Sequence, residues 1–151
     1  MAFIKAIETR AYGCRFRSRA EARWATLFNH MKWQWEYEPQ GVQLPAGNYL
    51  PDFRLSVTGA AEPIWFEVKP GSNNAEDARW WELATASEMV VIVARGMHRT
   101  SDHCERDHSA TAYTPGVEGG RAILARLWQK TVPQKAWDTA SSARFEFGET
   151  G

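Results

Sequence analysis

Glu21, Asp52, Glu67 and Lys69 are the residues of this chain whose types and spacing could do chemistry. Glu67 and Lys69 lie two apart in the run IWFEVK, Ile64 to Lys69, which reads as a strand. Side chains alternate across a strand, so Glu67 and Lys69 share one face with Trp65, while Phe66 and Val68 take the other. A carboxylate and an ammonium buried beside apolar neighbours are costly unless they are paired or hold a metal. Asp52 directly follows Pro51, whose missing N–H and fixed φ suit a strand break that re-aims the next side chain. Two carboxylates brought together repel, and a divalent cation is the usual remedy. Asp52 and Glu67 could therefore hold Mg²⁺, with Mn²⁺ as a substitute, bridging a phosphate oxygen and acidifying a bound water. Lys69 could orient that water or stabilise the charge that develops at phosphorus. Glu21 could reach the same metal, or a second one, from a helix edge. Such a set suffices to hydrolyse a phosphodiester.

Each residue also has a plainer reading. Glu67 and Lys69 could be a solvated strand pair. Glu21 follows Ser18 by three, the spacing of a capping box. Asp52 could be a turn residue. Either short motif alone, Pro-Asp or Glu-x-Lys, arises easily by chance; their order and surroundings make them informative together.

The elements that must position these groups can be read from periodicity. Ser18 to Lys32 reads as a helix capped by Ser18, with Ala20, Trp24, Leu27, Phe28 and Met31 on one stripe. Trp35 to Pro39 alternates, and with Val42 to Leu44 it suggests a hairpin. Tyr49 to Leu55 reads as a strand carrying Pro51, hence at an edge or near a bulge. Ile64 to Lys69 is bounded by Pro63 and by Pro70-Gly71. A helix is expected over about Ala75 to Ala86, with Asn74 as a candidate cap, and then a buried strand from Met89 to Ala94. Strand, helix, strand is a crossover unit, so two strands should be parallel within a mixed sheet. Gly96 to Gly120 is polar and reads as a long loop or insertion. Helices over Ala122 to Lys130 and about Gln134 to Ser142 follow, separated by Pro133.

Composition bounds the class. A chain of 151 residues suits one domain, burying roughly 70% of its unfolded surface. An apolar share of 44% with 13% aromatics, including eight Trp, excludes a disordered chain and points to an aromatic core. The longest apolar run, Met89 to Ala94, is far shorter than the ~20 residues a membrane span needs. The N-terminus lacks the pattern of a secretory signal, and Cys14 and Cys104 form no disulfide framework, so a cytoplasmic setting is expected. Eighteen Lys and Arg balance eighteen Asp and Glu, which argues against indiscriminate nucleic-acid coating. The distribution is uneven: Arg15, Arg17, Arg19 and Arg23 cluster before and along the helix that bears Glu21. They could grip backbone phosphates, or form a solvated helix face with Arg17 paired to Glu21. Trp80 or Trp81 could stack on a base, although core packing suits both. His98, His103, Cys104 and His108 could close a Zn²⁺ site or belong to a solvated loop.

The order Glu21 on the first helix, Pro51-Asp52, then Glu67-Val68-Lys69 resembles the PD-(D/E)XK nuclease superfamily. The stretches FRSRAEARWATLF, WEYEP, YLPDF and WFEVKP are similar to small members from bacteriophages and actinobacteria. The likeness runs from about Tyr12 to Ala94; the last fifty or so residues resemble nothing recognisable. It implies an α/β fold, a restriction-endonuclease-like mixed central sheet of four or five strands flanked by helices. It also implies Mg²⁺ on Asp52 and Glu67, Lys69 serving the attacking water, and Glu21 assisting at the metal. The expected activity is Mg²⁺-dependent cleavage of DNA, of a resolvase or recombination type, with a second copy of the chain as a candidate partner and no small-molecule cofactor. A phage-encoded member would work in the host cytoplasm. The alternatives are a non-catalytic DNA-binding or protein-interaction domain that keeps the fold, and a nuclease subunit active only in a complex.

Overall fold

The computed structural model describes residues 8–69, 77–95, 110–116, 120–121, 133–143 and 145. Strands β1 (Thr9–Ala11) and β2 (Cys14–Phe16) form a small antiparallel hairpin ahead of helix α1 (Arg19–His30). Its two turn residues, Tyr12 and Gly13, have φ of 53° and 76°, the paired positive values whose twist matches a tight hairpin. Nothing in the sequence reading anticipated this hairpin, because Tyr replaces the Asn or Asp that usually announces such a turn. The Tyr12 hydroxyl is fastened to Thr26 Oγ1 of α1 at 2.8 Å.

Helix α1 begins where expected. Ser18 is the N-cap, its hydroxyl accepting from the Glu21 amide. It ends two residues sooner than the apolar stripe suggested. Ala22, Trp24, Ala25, Leu27 and Phe28 are fully buried, while Ala20 and Met31 sit at the margin of the core.

Next come β3 (Gln34–Tyr37), β4 (Val42–Leu44), β5 (Gly47–Tyr49), β6 (Phe53–Ser56) and β7 (Ile64–Lys69). The expected hairpin is re-partnered. β4 pairs with β5, and β3 pairs antiparallel with β6. The alternation of Trp35 and Tyr37 identified a strand but could not say which strand it joins. The expected strand from Tyr49 to Leu55 is two strands, interrupted at Leu50–Asp52 around Pro51. β7 has the bounds its flanking prolines suggested.

α2 (Ala78–Ser87) crosses over to β8 (Val91–Arg95), which lies parallel to β7. The cap of α2 is Asp77, whose carboxylate accepts from the Arg79 amide at 2.9 Å. Asn74 lies outside the described residues. The region expected to be one long loop contains β9 (Ala110–Tyr113), antiparallel to β8, and leads to the two-residue β10 (Gly120–Arg121). The short ATAY run has too few β-branched residues to stand out from its polar surroundings, and buried pairing against β8 makes it a strand. α3 (Gln134–Ser142) agrees with expectation. The helix expected over Ala122 to Lys130 lies outside the described residues.

The central sheet is therefore mixed, in the order β9-β8-β7-β6-β3, with β10 added beyond β9 as a sixth short edge strand. Helices cover both faces. Phe53 and Phe66, directly paired across β6 and β7, face α1 and α3 and are fully buried with Trp24, Phe28 and Trp137. Trp24 and Phe28 stack on Phe66 at 4.8 and 5.1 Å between ring centroids. Each such ring contributes about 1.5–3 kcal/mol by burial. On the other face, Trp65, Val91 and Val93 pack with Trp80, Leu83 and Ala84 of α2 and with Leu44 and Tyr49 of the β4–β5 hairpin. Trp24, Trp33, Trp65, Trp80 and Trp137 are all buried, so much of the tryptophan excess is core. Among the described residues no helix is long and apolar enough to cross a membrane.

Candidate active site

The β6–β7 ladder stops at Phe53 opposite Phe66. One step further along the same register, Asp52 faces Glu67, and there side chains replace the backbone ladder. The Asp52 amide donates to Glu67 Oε1 at 2.9 Å, and the Val68 amide donates to Asp52 Oδ2 at 2.8 Å. Pro51 explains the change locally: it cannot donate to a ladder, so the strand breaks and the next residue turns its carboxylate onto the neighbouring strand. Because Phe53 and Phe66 point to the α1 face, Asp52 and Glu67 point to the α2 face, as the alternation of β7 requires.

Glu67 is buried, with 1% exposure, and Asp52 is half-buried beside it. Burial is the largest cause raising the proton affinity of both carboxyls, and the Asp52 charge adds to the effect on Glu67. Lys69 and the amide hydrogen bonds pull the other way without cancelling it. Lys69 Nζ stands 3.6 Å from Glu67 Oε2, with its side chain partly open to solvent. The pair is thus short of positive charge, and in a low-dielectric setting it must take up a proton or a cation.

Glu21 approaches from the first turn of α1. It too is buried, and its carboxyl is pushed up to about 7, first by burial and then by the Asp52 charge. Ser18 Oγ donates to Glu21 Oε1 at 3.2 Å and the Tyr37 hydroxyl donates to Oε2 at 3.2 Å. The capping role expected from the Ser18 spacing is present, and the burial and the link to Asp52 go beyond it. Among the described residues no three His, Cys, Asp or Glu side chains are grouped as a ready cation cage. The structure brings together two carboxylates, with the third within electrostatic reach. Two carboxylates fit Mg²⁺, which keeps several waters and is commonly held by one or two carboxylates plus substrate phosphates.

No family model, curated protein or solved structure matches this chain.

The four arginines are placed less uniformly. Arg15 pairs with Glu8, and Arg17 Nε pairs with Glu38 at 2.7 Å rather than with Glu21. Both retain well-exposed side chains. Arg23 Nε donates to the Ala143 carbonyl at 3.4 Å, and Arg19 Nε is buried with no hydrogen-bond partner among the described residues. Trp80 is a core residue and Trp81 half-buried. His98, His103, Cys104 and His108 lie outside the described residues.

Three contributors escaped the sequence reading. Glu38, with φ of 44°, donates its amide to the Asp52 carbonyl at 2.7 Å and adds a negative charge beside Asp52. The Tyr49 hydroxyl, near Glu67, favours the charged form of its carboxyl. Arg95 lies opposite Lys69 in the parallel register of β7 and β8. The Glu-Pro in WEYEP and the Tyr two residues before Pro51 were visible, but only the tertiary register shows that they meet the acid pair.

Proposed function

We propose that this chain is a Mg²⁺-dependent nuclease that hydrolyses phosphodiester bonds in DNA, of the PD-(D/E)XK kind that its motifs resemble. The observation that carries this reading is the opposition of Asp52 and Glu67 across the break between β6 and β7, with Lys69 one alternation further along. Asp52 and Glu67 would hold the cation, with Mn²⁺ as a substitute. When bound, the cation polarises a phosphoryl oxygen and acidifies a water.

The chain's own groups do the rest. Lys69, anchored beside Glu67, donates hydrogen bonds to the attacking water and faces the negative charge that grows on the phosphoryl oxygens. Burial and the Asp52 charge raise the proton affinity of Glu21, which would suit a group that accepts a proton from a water at the site. Arg15 and Arg17, exposed near the start of α1, are placed to hold flanking phosphates and carry no sequence information.

The test is incubation with linear duplex, single-stranded, flap and four-way DNA in Mg²⁺. Cleavage of at least one substrate, abolished by EDTA and lost in Glu67→Ala and Lys69→Ala, is expected. No cleavage of any substrate, or cleavage undiminished in both variants, would overturn the reading. DNA binding that is equal in EDTA and Mg²⁺, without cleavage, would instead identify a non-catalytic domain that retains this architecture.

A further inference from the structure

Glu67 and Lys69 are both touched by one aromatic pair on the α2 face. Trp80 Nε1 donates to the Tyr49 hydroxyl at 3.1 Å, and the Glu67 carboxylate lies within electrostatic reach of that hydroxyl. An indole N–H can only donate, so the tyrosine oxygen accepts from Trp80 and its own proton is left free for the carboxylate. Lys69 Nζ lies 5.9 Å from the centroid of the same Trp80 ring, within the range of a cation–π contact. Arg95 covers that ring at 5.6 Å, and Arg79 covers the Tyr49 ring at 5.1 Å. Tyr49 and Trp80 are themselves buried, and they come from two separately positioned elements, the β4–β5 hairpin and the first turn of α2.

We infer that Tyr49 and Trp80 are positioning residues. Tyr49, steadied by the Trp80 indole, fixes the rotamer of Glu67 for cation binding, and the Trp80 ring fixes Lys69 for the hydrolytic step. This rests on the nuclease reading of the site. Core packing alone would need the two rings but neither the Trp80 to Tyr49 hydrogen bond beside the carboxylate nor the placement of Lys69 over the indole. Groups that orient a metal ligand in this way typically contribute about 10–100-fold to metal affinity or activity.

The experiment is calorimetric titration with Mn²⁺, joined to measurement of kcat and KM for DNA cleavage at saturating metal. The proteins are the wild-type chain, Tyr49→Phe, Trp80→Phe and Trp80→Leu, each first checked for a cooperative thermal transition. Tyr49→Phe should weaken Mn²⁺ binding about ten-fold or more. Trp80→Phe keeps a ring and loses the indole donor, so it should weaken Mn²⁺ binding. Trp80→Leu should lower kcat as well, with KM for DNA unchanged. If Trp80→Leu does not fold, the two phenylalanine variants decide. Wild-type Mn²⁺ affinity in both phenylalanine variants would overturn the inference. A wild-type chain that binds no Mn²⁺ would overturn the nuclease reading itself, and this one with it.

Discussion

The amide of Asp52 donates to Glu67 Oε1 while the carboxylate of Asp52 accepts from the next amide along β7, that of Val68. This reciprocal exchange places two acids face to face where a backbone ladder would otherwise continue. A sheet gains nothing from such an arrangement by itself, since burial raises the proton affinity of both groups. The gain appears when something positive is bound.

Metal-free stability should therefore depend on pH with a definite sign. Glu21 and Glu67 hold their protons to higher pH in the folded chain than in the unfolded one. Between those limits the folded state binds more protons, so stability falls as pH rises. For Glu21 the window runs from its ordinary value of 4.5 up to about 7. Thermal denaturation in EDTA should give a Tm several degrees higher at pH 5 than at pH 8, and Mg²⁺ at about 100 times its Kd should restore about 2.7 kcal/mol at pH 8. Glu67→Gln should flatten the pH dependence and abolish the Mg²⁺ response. A Tm that rises from pH 5 to pH 8 in EDTA would contradict the electrostatics of the site.

Tyr37 ties α1 to the site. Its hydroxyl accepts from the Arg17 amide at 3.1 Å and donates to Glu21 at 3.2 Å. Tyr37→Phe should cost about 1–2 kcal/mol in denaturant unfolding, because one buried acceptor loses its donor. It should also move the Glu21 carboxyl titration upward, since the lost hydrogen bond favours the charged form. Carbon-detected titration of the Glu side chains would show it; an unmoved Glu21 would disconnect Tyr37 from the site.

Arg15 and Arg17 separate a structural from a binding role. Their partners Glu8 and Glu38 face solvent-accessible guanidinium groups, so Arg15→Ala and Arg17→Ala should each change stability by less than about 1 kcal/mol. If both hold phosphates, each substitution should reduce the slope of log affinity for DNA against log salt by about one. Fluorescence anisotropy at a series of salt concentrations measures this, and an unchanged slope would remove these residues from the interface.

Glu88 tests the fold away from the site. It closes α2 in the left-handed region, with φ of 57°, and is exposed. That conformation costs a non-glycine residue about 1 kcal/mol or more. Glu88→Gly should accordingly raise Tm by about 2–4 °C in a chain of this size. A lower Tm would mean that the Glu88 side chain stabilises the helix end in some other way.

What was legible in the sequence follows a physical rule. Signals carried by neighbours along the chain came through: Ser18 with Glu21 set the start of α1, Pro63 and Pro70 set the bounds of β7, and Pro51 announced the break that turns Asp52. Signals that depend on which strand lies beside which did not. Trp35 and Tyr37 read as a strand, yet only tertiary packing decides that β3 joins β6. ATAY gains its strand character from pairing against β8. The acid pair could be suspected because one motif supplies each member, whereas Tyr49 and Glu38 reach it from the β4–β5 hairpin and from the bend after β3 and carry no local mark.

Asp52 and Glu67 are proposed to hold a divalent cation beside Lys69. Crystals grown with Mn²⁺ and measured at the manganese absorption edge test it most directly. An anomalous peak bonded to oxygens of both Asp52 and Glu67, with Lys69 Nζ nearby, is expected. Crystals that show no such peak at saturating Mn²⁺, or show Mn²⁺ only elsewhere on the chain, would contradict it.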